Sequence, residues 1–243
     1  MGRMKTRLDR LLVERGLVES REKAQALIMA GDVLIDGQKA DKPGRPVEPD
    51  CTLTLVKPPP YVGRGGHKMA GALEHFHIDV RGTVCLDIGS STGGFTDCLL
   101  QAGAARVHAV DVGVGQLAWS LRTDARVIVH EGVNARQLML QEIGERVDFL
   151  SCDVSFISVT LILPAAVPLL QPGGQMVILI KPQFEAGKGL VGKGGIVRDP
   201  EVHQAVCERV TRAVQEFGFE TSIVESPILG AEGNKEFLLY AHH

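Results

Sequence analysis

Two neighbouring apolar runs in the second half of this 243-residue chain end on charges that could move a proton. Val147-Asp148-Phe149-Leu150-Ser151-Cys152 ends on Asp153, and Met176-Val177-Ile178-Leu179-Ile180 ends on Lys181. Both runs have the length and composition of buried strands. A carboxylate and an amine at adjacent strand ends can orient a hydroxyl and take its proton, which is general acid–base chemistry. If the last strand, 235–240, runs antiparallel beside 175–181, its start carries Glu236 to the same edge. Lys68, at the entrance of a helix expected over 69–76, could complete a group of two amines and two acids. A lysine ending an apolar strand often only snorkels to water. A cation at a helix entrance opposes the dipole. Four such groups converging is harder to assign to the surface.

The elements that must hold this group centre on Val84-Cys85-Leu86-Asp87-Ile88-Gly89-Ser90-Ser91-Thr92-Gly93-Gly94-Phe95. A short apolar run, a glycine-punctuated turn and a helix start make the usual crevice for a nucleoside-bearing ligand in an open α/β sheet. Neither the dinucleotide fingerprint nor a Walker phosphate loop fits this turn. What stands there is Asp-x-Gly-x-x-x-Gly-Gly, which resembles the first motif of S-adenosylmethionine-dependent methyltransferases. That resemblance implies that Asp87, Gly89, Ser91, Gly93, Gly94 and Phe95 hold the methionine half of S-adenosylmethionine.

Strands are expected at 84–87, 106–111, 126–130, 147–152 and 175–181. Helices are expected at 95–102, 115–122, 135–143 and 158–170. A glycine-rich loop, a helix over 200–217 and strands at 219–225 and 235–240 follow. Such alternation argues a doubly wound, mostly parallel α/β sheet with its last strand antiparallel. Ligands then sit beyond the carboxyl ends of the strands. Asp111 ends the second strand about 20 residues after the glycines, where a carboxylate suits a ribose diol. Asn134, after the third strand, can meet an adenine edge or cap its own loop. Asp153 joins these as a cofactor contact.

Bulk properties narrow the class. Five cysteines lie scattered without a Cys-x-x-Cys pair, which points away from a disulfide framework or zinc site and toward a reducing cytoplasm. No metal is expected, and no apolar run approaches the roughly 18 residues needed to span a bilayer. Residues 1–10 lack the apolar stretch of a signal peptide. Residues 1–68 carry 13 Lys/Arg against 9 Asp/Glu, whereas the remainder carries 13 against 20. A cationic N-terminal piece on an acidic body is expected to face an anion.

That piece reads as two short helices, with Leu8, Leu11 and Leu12 and then Ala24, Leu27 and Ile28 at helical spacing, followed by a small hairpin through Asp36-Gly37. Arg3, Lys5, Arg7, Arg10 and Arg15 surround the first helix. Arg7-Leu8-Asp9-Arg10-Leu11-Leu12, Ser20-Arg21-Glu22-Lys23-Ala24 and Gly31-Asp32-Val33-Leu34-Ile35-Asp36-Gly37 resemble the αL RNA-binding module of a small-subunit ribosomal protein. The resemblance implies that Arg7, Arg10, Arg21 and Lys23 face RNA phosphates, with Arg64 joining them. Such contacts set register without reading bases. Lys57-Pro58-Pro59-Pro60-Tyr61-Val62-Gly63 reads as a stiff, extended linker. The division expected is an RNA-binding domain over 1–57, a linker over 58–66 and a catalytic domain over 67–243.

Lys68, Asp153, Lys181 and Glu236 match the Lys-Asp-Lys-Glu tetrad of FtsJ-like ribose 2′-O-methyltransferases. With Gly65-Gly66-His67-Lys68, the run 113–120, Asp153-Val154-Ser155-Phe156-Ile157-Ser158 and Lys181-Pro182-Gln183-Phe184-Glu185, nearly the whole chain resembles the TlyA family. Those are bacterial rRNA 2′-O-methyltransferases acting on cytidine riboses and historically labelled haemolysins. One departure is Pro59-Pro60-Tyr61-Val62, where the family carries an Arg-x-Trp-Val-type run. The resemblance implies ribosomal RNA as partner, S-adenosylmethionine as methyl donor and no membrane. Lys181, desolvated beside Lys68, is the candidate general base. Asp153 and Glu236 would orient the amines and the hydroxyl. The competing readings are an RNA-binding assembly factor with a structural pocket and, following the old label, a membrane-lytic protein. The loop 187–195 mimics a phosphate loop but has Gly194 where Ser/Thr is required; it reads as a basic lid over RNA or as inert flexible chain. Nothing in the sequence fixes an oligomeric state.

Overall fold

The computed structural model describes residues 5–18, 20–56, 60–187, 189–230 and 233–243, and the chain forms two compact units, Met1–Pro60 and Tyr61–His243. Arg3, the Lys57-Pro58-Pro59 part of the expected linker and Lys188 of the glycine-rich loop lie outside the described residues.

In the first unit, β1 (Thr6–Arg7) leads into α1 (Leu8–Glu14). Helix α1 is shorter than its charged flanks promise, because Thr6 and Arg7 are extended and pair with β4 (Pro46–Val47). Ser20 caps α2 (Arg21–Ala30) by accepting from the Lys23 N–H at 3.2 Å, and Gly31 closes it in the left-handed conformation. Strands β2 (Val33–Ile35), β3 (Gln38–Lys39) and β5 (Leu53–Leu55) form a three-stranded antiparallel sheet with β2 central. Leu8, Leu12, Ala24, Ile28 and Val33 make the core. One buried charge sits against it. Asp9 has no exposed surface and accepts from Arg7 Nε and Nη2 at 3.0 and 2.9 Å, Arg21 Nε at 2.9 Å and Gln25 Nε2 at 2.9 Å.

The second unit contains α3 (Gly65–His75), β6 (Val84–Ile88), α4 (Gly94–Gln101), β7 (Arg106–Asp111), α5 (Trp119–Arg122), β8 (Val127–Glu131), α6 (Leu140–Ile143), β9 (Val147–Cys152), α7 (Leu163–Ala166), β10 (Leu170–Ile180), α8 (Pro182–Glu185), α9 (Pro200–Gln215), β11 (Glu220–Glu225) and β12 (Phe237–His242). Among the described residues its sheet has seven strands in the order β11-β12-β10-β9-β6-β7-β8. The five strands from β10 to β8 are parallel, and β12 is antiparallel to both β10 and β11. Alternate side chains of β10 feed the two apolar layers: Met176, Ile178 and Ile180 on one face, Val177 and Leu179 on the other. The expected doubly wound sheet with an antiparallel last strand is present.

Three expected helices are broken or shortened. Residues 158–170 form a 3₁₀ turn, the single-turn α7 and a second 3₁₀ turn, because Pro164 and Pro168 remove amide donors that a continuous helix needs. Residues 135–143 split into a 3₁₀ turn and α6, and only 119–122 of the expected 115–122 are helical. Residues 61–66, expected as linker, pack into this unit: the Val62 N–H donates to Asp97 Oδ2 at 2.8 Å, and Gly65 begins α3. No helix of the described residues is long and apolar enough to cross a membrane.

The Asp9 cluster carries a stability prediction. Hydrogen bonding to Arg7, aided by Gln25 and Arg21, holds the Asp9 carboxyl well below the usual carboxylate range against the opposing cost of burial. A depressed carboxyl contributes stability above its unfolded value and loses it as pH falls. Asp9→Ala should destabilise the first unit by about 1–3 kcal/mol at pH 7. The difference from wild type should shrink as pH drops below about 4. Urea unfolding of both proteins across that range checks this.

Candidate active site

A crevice is built from loops that follow the carboxyl ends of β6, β7, β8 and β9. Gly89 leaves β6 at φ +82°, and a Cβ there would stand 2.3 Å from the Asp153 carbonyl oxygen. Glycine thus lets the loops after β6 and β9 touch. Asp111 ties the next pair of loops. Its Oδ2 accepts from the Ser91 N–H and its Oδ1 from the Gly113 N–H, each at 2.7 Å. A cavity of about 500 Å³ opens over these strand ends, lined by Gly89, Ser91, Asp111, Asn134, Asp153 and Phe156 among others. Asn134 Oδ1 accepts from the Arg136 N–H at 3.1 Å, so its oxygen caps the following turn while the residue still lines the cavity. The two roles left open by the sequence are compatible.

Asp87, Gly93, Gly94 and Phe95 stand behind this cavity wall. Asp87 is fully buried, accepting from Thr96 Oγ1 at 2.6 Å and Ser151 Oγ at 2.9 Å. It ties α4 and β9 together beneath the loop. Gly93 abuts Leu117 and Leu121, and a Cβ on Gly94 would lie 2.9 Å from the Gly66 amide nitrogen, so α3 and α4 meet backbone to backbone. Phe95 belongs to an apolar layer. These four shape the loop; Gly89, Ser91, Asp111, Asn134 and Asp153 face the cavity.

The acid–amine group assembles at the neighbouring edge. Ile180 pairs with Phe237 across the β10–β12 ladder, so Lys181 and Glu236 are carried to one end of it. Lys68 lies in the first turn of α3 because the helix begins at Gly65, four residues earlier than expected. Its Nζ donates to Glu236 Oε2 at 2.5 Å, and both side chains are buried. Lys181 Nζ lies 2.6 Å from Asp153 Oδ1 and donates to Ser155 Oγ at 2.9 Å. The Asp153 contact is ionic and poorly directed, so Oδ1 makes no hydrogen bond among the described residues. Lys68, Lys181 and Glu236 line a second cavity of about 490 Å³. Ser155 and Phe156 line both cavities. The Lys181–Asp153 pair therefore reaches across their shared wall.

Four residues here carry roles that spacing alone did not reveal. Ser155 holds Lys181. Phe156, 90% exposed with a left-handed backbone at φ +66°, packs its ring 5.0 Å from that of Phe184. Gln183 lines the second cavity with a buried, unpaired Oε1. Buried Glu185 accepts from Ser158 Oγ and the Val159 N–H, each at 2.7 Å, and from Arg209 Nη2 at 3.0 Å. It thereby locks the Asp153–Ser158 run against α8 and α9. All four fall in the two runs that carry Asp153 and Lys181, which was the only signal available.

The five residues expected to face RNA are dispersed differently. Arg7 and Arg21 are half-exposed and held by Asp9, while Arg10 and Lys23 are exposed on α1 and α2. Arg64 Nη2 donates to the Leu229 carbonyl at 2.6 Å within the second unit.

Comparison with known proteins decides the kinship. Residues 61–243 match the FtsJ-like methyltransferase model and residues 6–50 the S4 domain model. The chain belongs to the TlyA family of FtsJ-like methyltransferases. It is 49% identical over 239 residues to the 16S/23S rRNA (cytidine-2′-O)-methyltransferase TlyA of Mycobacterium tuberculosis, covering 97% of this chain and 89% of that one. It is 50% identical over 245 residues to YqxC of Bacillus subtilis, covering 100% and 87%. A solved structure of a hemolysin-named protein from Streptococcus thermophilus superposes with a TM-score of 0.74 at 44% identity, covering 99% and 89%. The N-terminal module expected from the runs 7–12, 20–24 and 31–37 is this S4 domain, and the methyltransferase domain is the FtsJ-like one.

Asp87 makes the domain's stability depend on pH. Burial pushes its carboxyl up to about 6, against the hydrogen bonds from Thr96 and Ser151 that favour the charged form. The native state therefore keeps a proton that the unfolded state has already lost. Stability should fall by roughly 2–3 kcal/mol as pH rises from about 4 to about 6, then level off. Asp87→Asn should flatten that segment in urea unfolding; an unchanged slope would assign it to other groups.

Proposed function

We propose that this protein transfers a methyl group from S-adenosylmethionine to the 2′-hydroxyl of a cytidine in ribosomal RNA. The observation that carries the reading is the Lys181–Asp153 pair, which reaches from one cavity into the next while Lys68 and Glu236 pair on the far side.

The first cavity fits the donor. It offers a carboxylate at Asp111 for a ribose diol and the Asn134 side chain for an adenine edge, while Gly89 leaves room that a Cβ would fill. Asp153 lines this cavity while its Oδ1 meets the Lys181 ammonium at 2.6 Å. S-adenosylmethionine, when bound, supplies a strongly electrophilic methyl on its sulfonium. The protein must then position a ribose hydroxyl and remove its proton. Lys181 Nζ, once it has released its own proton to solvent and stands as the free amine, takes that proton, and Asp153 and Ser155 hold the amine on line. Lys68, fixed by Glu236, places a positive charge where the hydroxyl oxygen becomes negative. Asp87, Gly93, Gly94 and Phe95 act by shaping the loop.

Residues 1–57 serve to hold RNA; of the expected linker 58–66, residues 61–66 pack with the catalytic 67–243. Arg7, Arg10, Arg21 and Lys23 meet phosphates, Asp9 presetting Arg7 and Arg21. Such contacts are independent of sequence and weaken with salt. Arg64 commits one of its N–H donors to the Leu229 carbonyl and has others to offer RNA. The reaction belongs to the cytoplasm, where ribosomes are assembled.

Methyl transfer from labelled S-adenosylmethionine to ribosomal subunits and to naked rRNA tests this reading. Wild type should give a product resistant to alkaline hydrolysis at one ribose, and Lys181→Ala should lower the rate about 10²–10⁴-fold. No transfer to any RNA, with the donor still bound, would instead favour an RNA-binding assembly factor.

A further inference from the structure

Among the described residues, two buried side-chain atoms lack a hydrogen-bond partner: Asp153 Oδ1 and Gln183 Oε1. Buried polar atoms are nearly always satisfied, and an orphan costs about 1–3 kcal/mol. Asp153 belongs to the methyl-transfer group. Gln183 has no part in that chemistry, yet it lies two residues beyond Lys181 on α8 and lines the same cavity as Lys68, Lys181 and Glu236. Its place is held firmly, since the single turn of α8 begins with Pro182 and ends with Glu185, which is anchored by Ser158, Val159 and Arg209. A buried acceptor on an anchored turn in the wall of a substrate cavity is a site for a donor on the substrate.

We infer that Gln183 is a specificity-determining residue whose Oε1 accepts a hydrogen bond from the exocyclic 4-amino group of the target cytosine. The inference rests on the cytidine reading above. Covalent chemistry narrows the choice of donor. Within an RNA strand the 3′ and 5′ oxygens are esterified. A cytidine residue then has only two donors, the 2′-hydroxyl and the 4-amino group. The 2′-hydroxyl has one proton, which goes to Lys181. The 4-amino group remains. Phe156 and Phe184 supply an apolar wall to the same cavity, which suits a base more than a ribose. Uridine carries an oxygen at the 4-position, which Oε1 cannot serve; pairing there would require the Gln183 amide to turn over and donate from Nε2. A site built to hydrogen-bond one group rejects the analogue lacking it far more strongly than an apolar pocket does.

The test begins by mapping the methylated cytidine with wild-type enzyme. Initial rates are then compared on RNA carrying cytidine or uridine at that position, assembled into subunits where naked RNA is not a substrate. Wild type should favour cytidine by at least about 10²-fold. Gln183→Leu should lower kcat/KM on cytidine by roughly 10–100-fold and bring the cytidine-to-uridine ratio near one. Gln183→Glu, which keeps an acceptor, should retain the preference for cytidine. A Leu variant that binds S-adenosylmethionine and melts like wild type, yet keeps the wild-type ratio, overturns the inference and leaves methyl transfer standing. If the Leu variant is unstable, Gln183→Asn decides, since it draws the oxygen back by one methylene: an unaltered ratio there counts equally against the role. Failure of wild type to methylate any RNA removes the cytidine reading and this inference together.

Discussion

Two lysines brought to one cavity must each be matched by a carboxylate, and the site is arranged around that requirement. Desolvating an ammonium costs several kcal/mol unless geometry and charge compensate. Here Lys68 has Glu236 at 2.5 Å and Lys181 has Asp153 at 2.6 Å. Each pair joins elements far apart in sequence: a helix start with the lead-in to the last strand, and two adjacent central strand ends. The antiparallel entry of β12 beside β10 makes the first pair possible, because a parallel β12 would carry Glu236 to the opposite edge.

The second dependence is on close backbone approach. The first cavity is shaped by Gly89, which lets the loop after β6 meet that after β9, and by Gly94, which meets Gly65 and Gly66 where α4 approaches α3. The latter contact also sets where α3 begins, and hence where Lys68 is presented. Loop and Lys68 are therefore one mechanical unit. Glu185 does the same for the opposite wall, tying the loop that carries Ser155 and Phe156 to the turn that carries Gln183. A cavity walled by such tied loops suits a reaction in which positioning and proton removal supply most of the catalysis.

The S4 unit shows the same economy of charge on a smaller scale. Two arginines, half exposed, are gathered by one buried carboxylate and so are held in place without a ligand. Preorganised cations of this kind lose less side-chain entropy when they meet a phosphate than free ones do.

Much of this was legible in the residues themselves. Apolar runs of strand length ending on Asp153 and Lys181, alternating with helical segments, determine a parallel sheet and an edge where charges gather, since burial periodicity is local and strong. The motif runs carried the kinship. What local pattern reports is whether a residue is buried, never against what. Only the tertiary structure decided that Asp87 lies under the loop and not in it, that prolines break the segment 158–170, and that Asp9 is the hub of the first unit. It alone brought Ser155, Phe156 and Gln183 into the wall between two cavities. Those facts depend on contacts between strand ends and loops separated by tens of residues, and such contacts form only when the sheet is assembled.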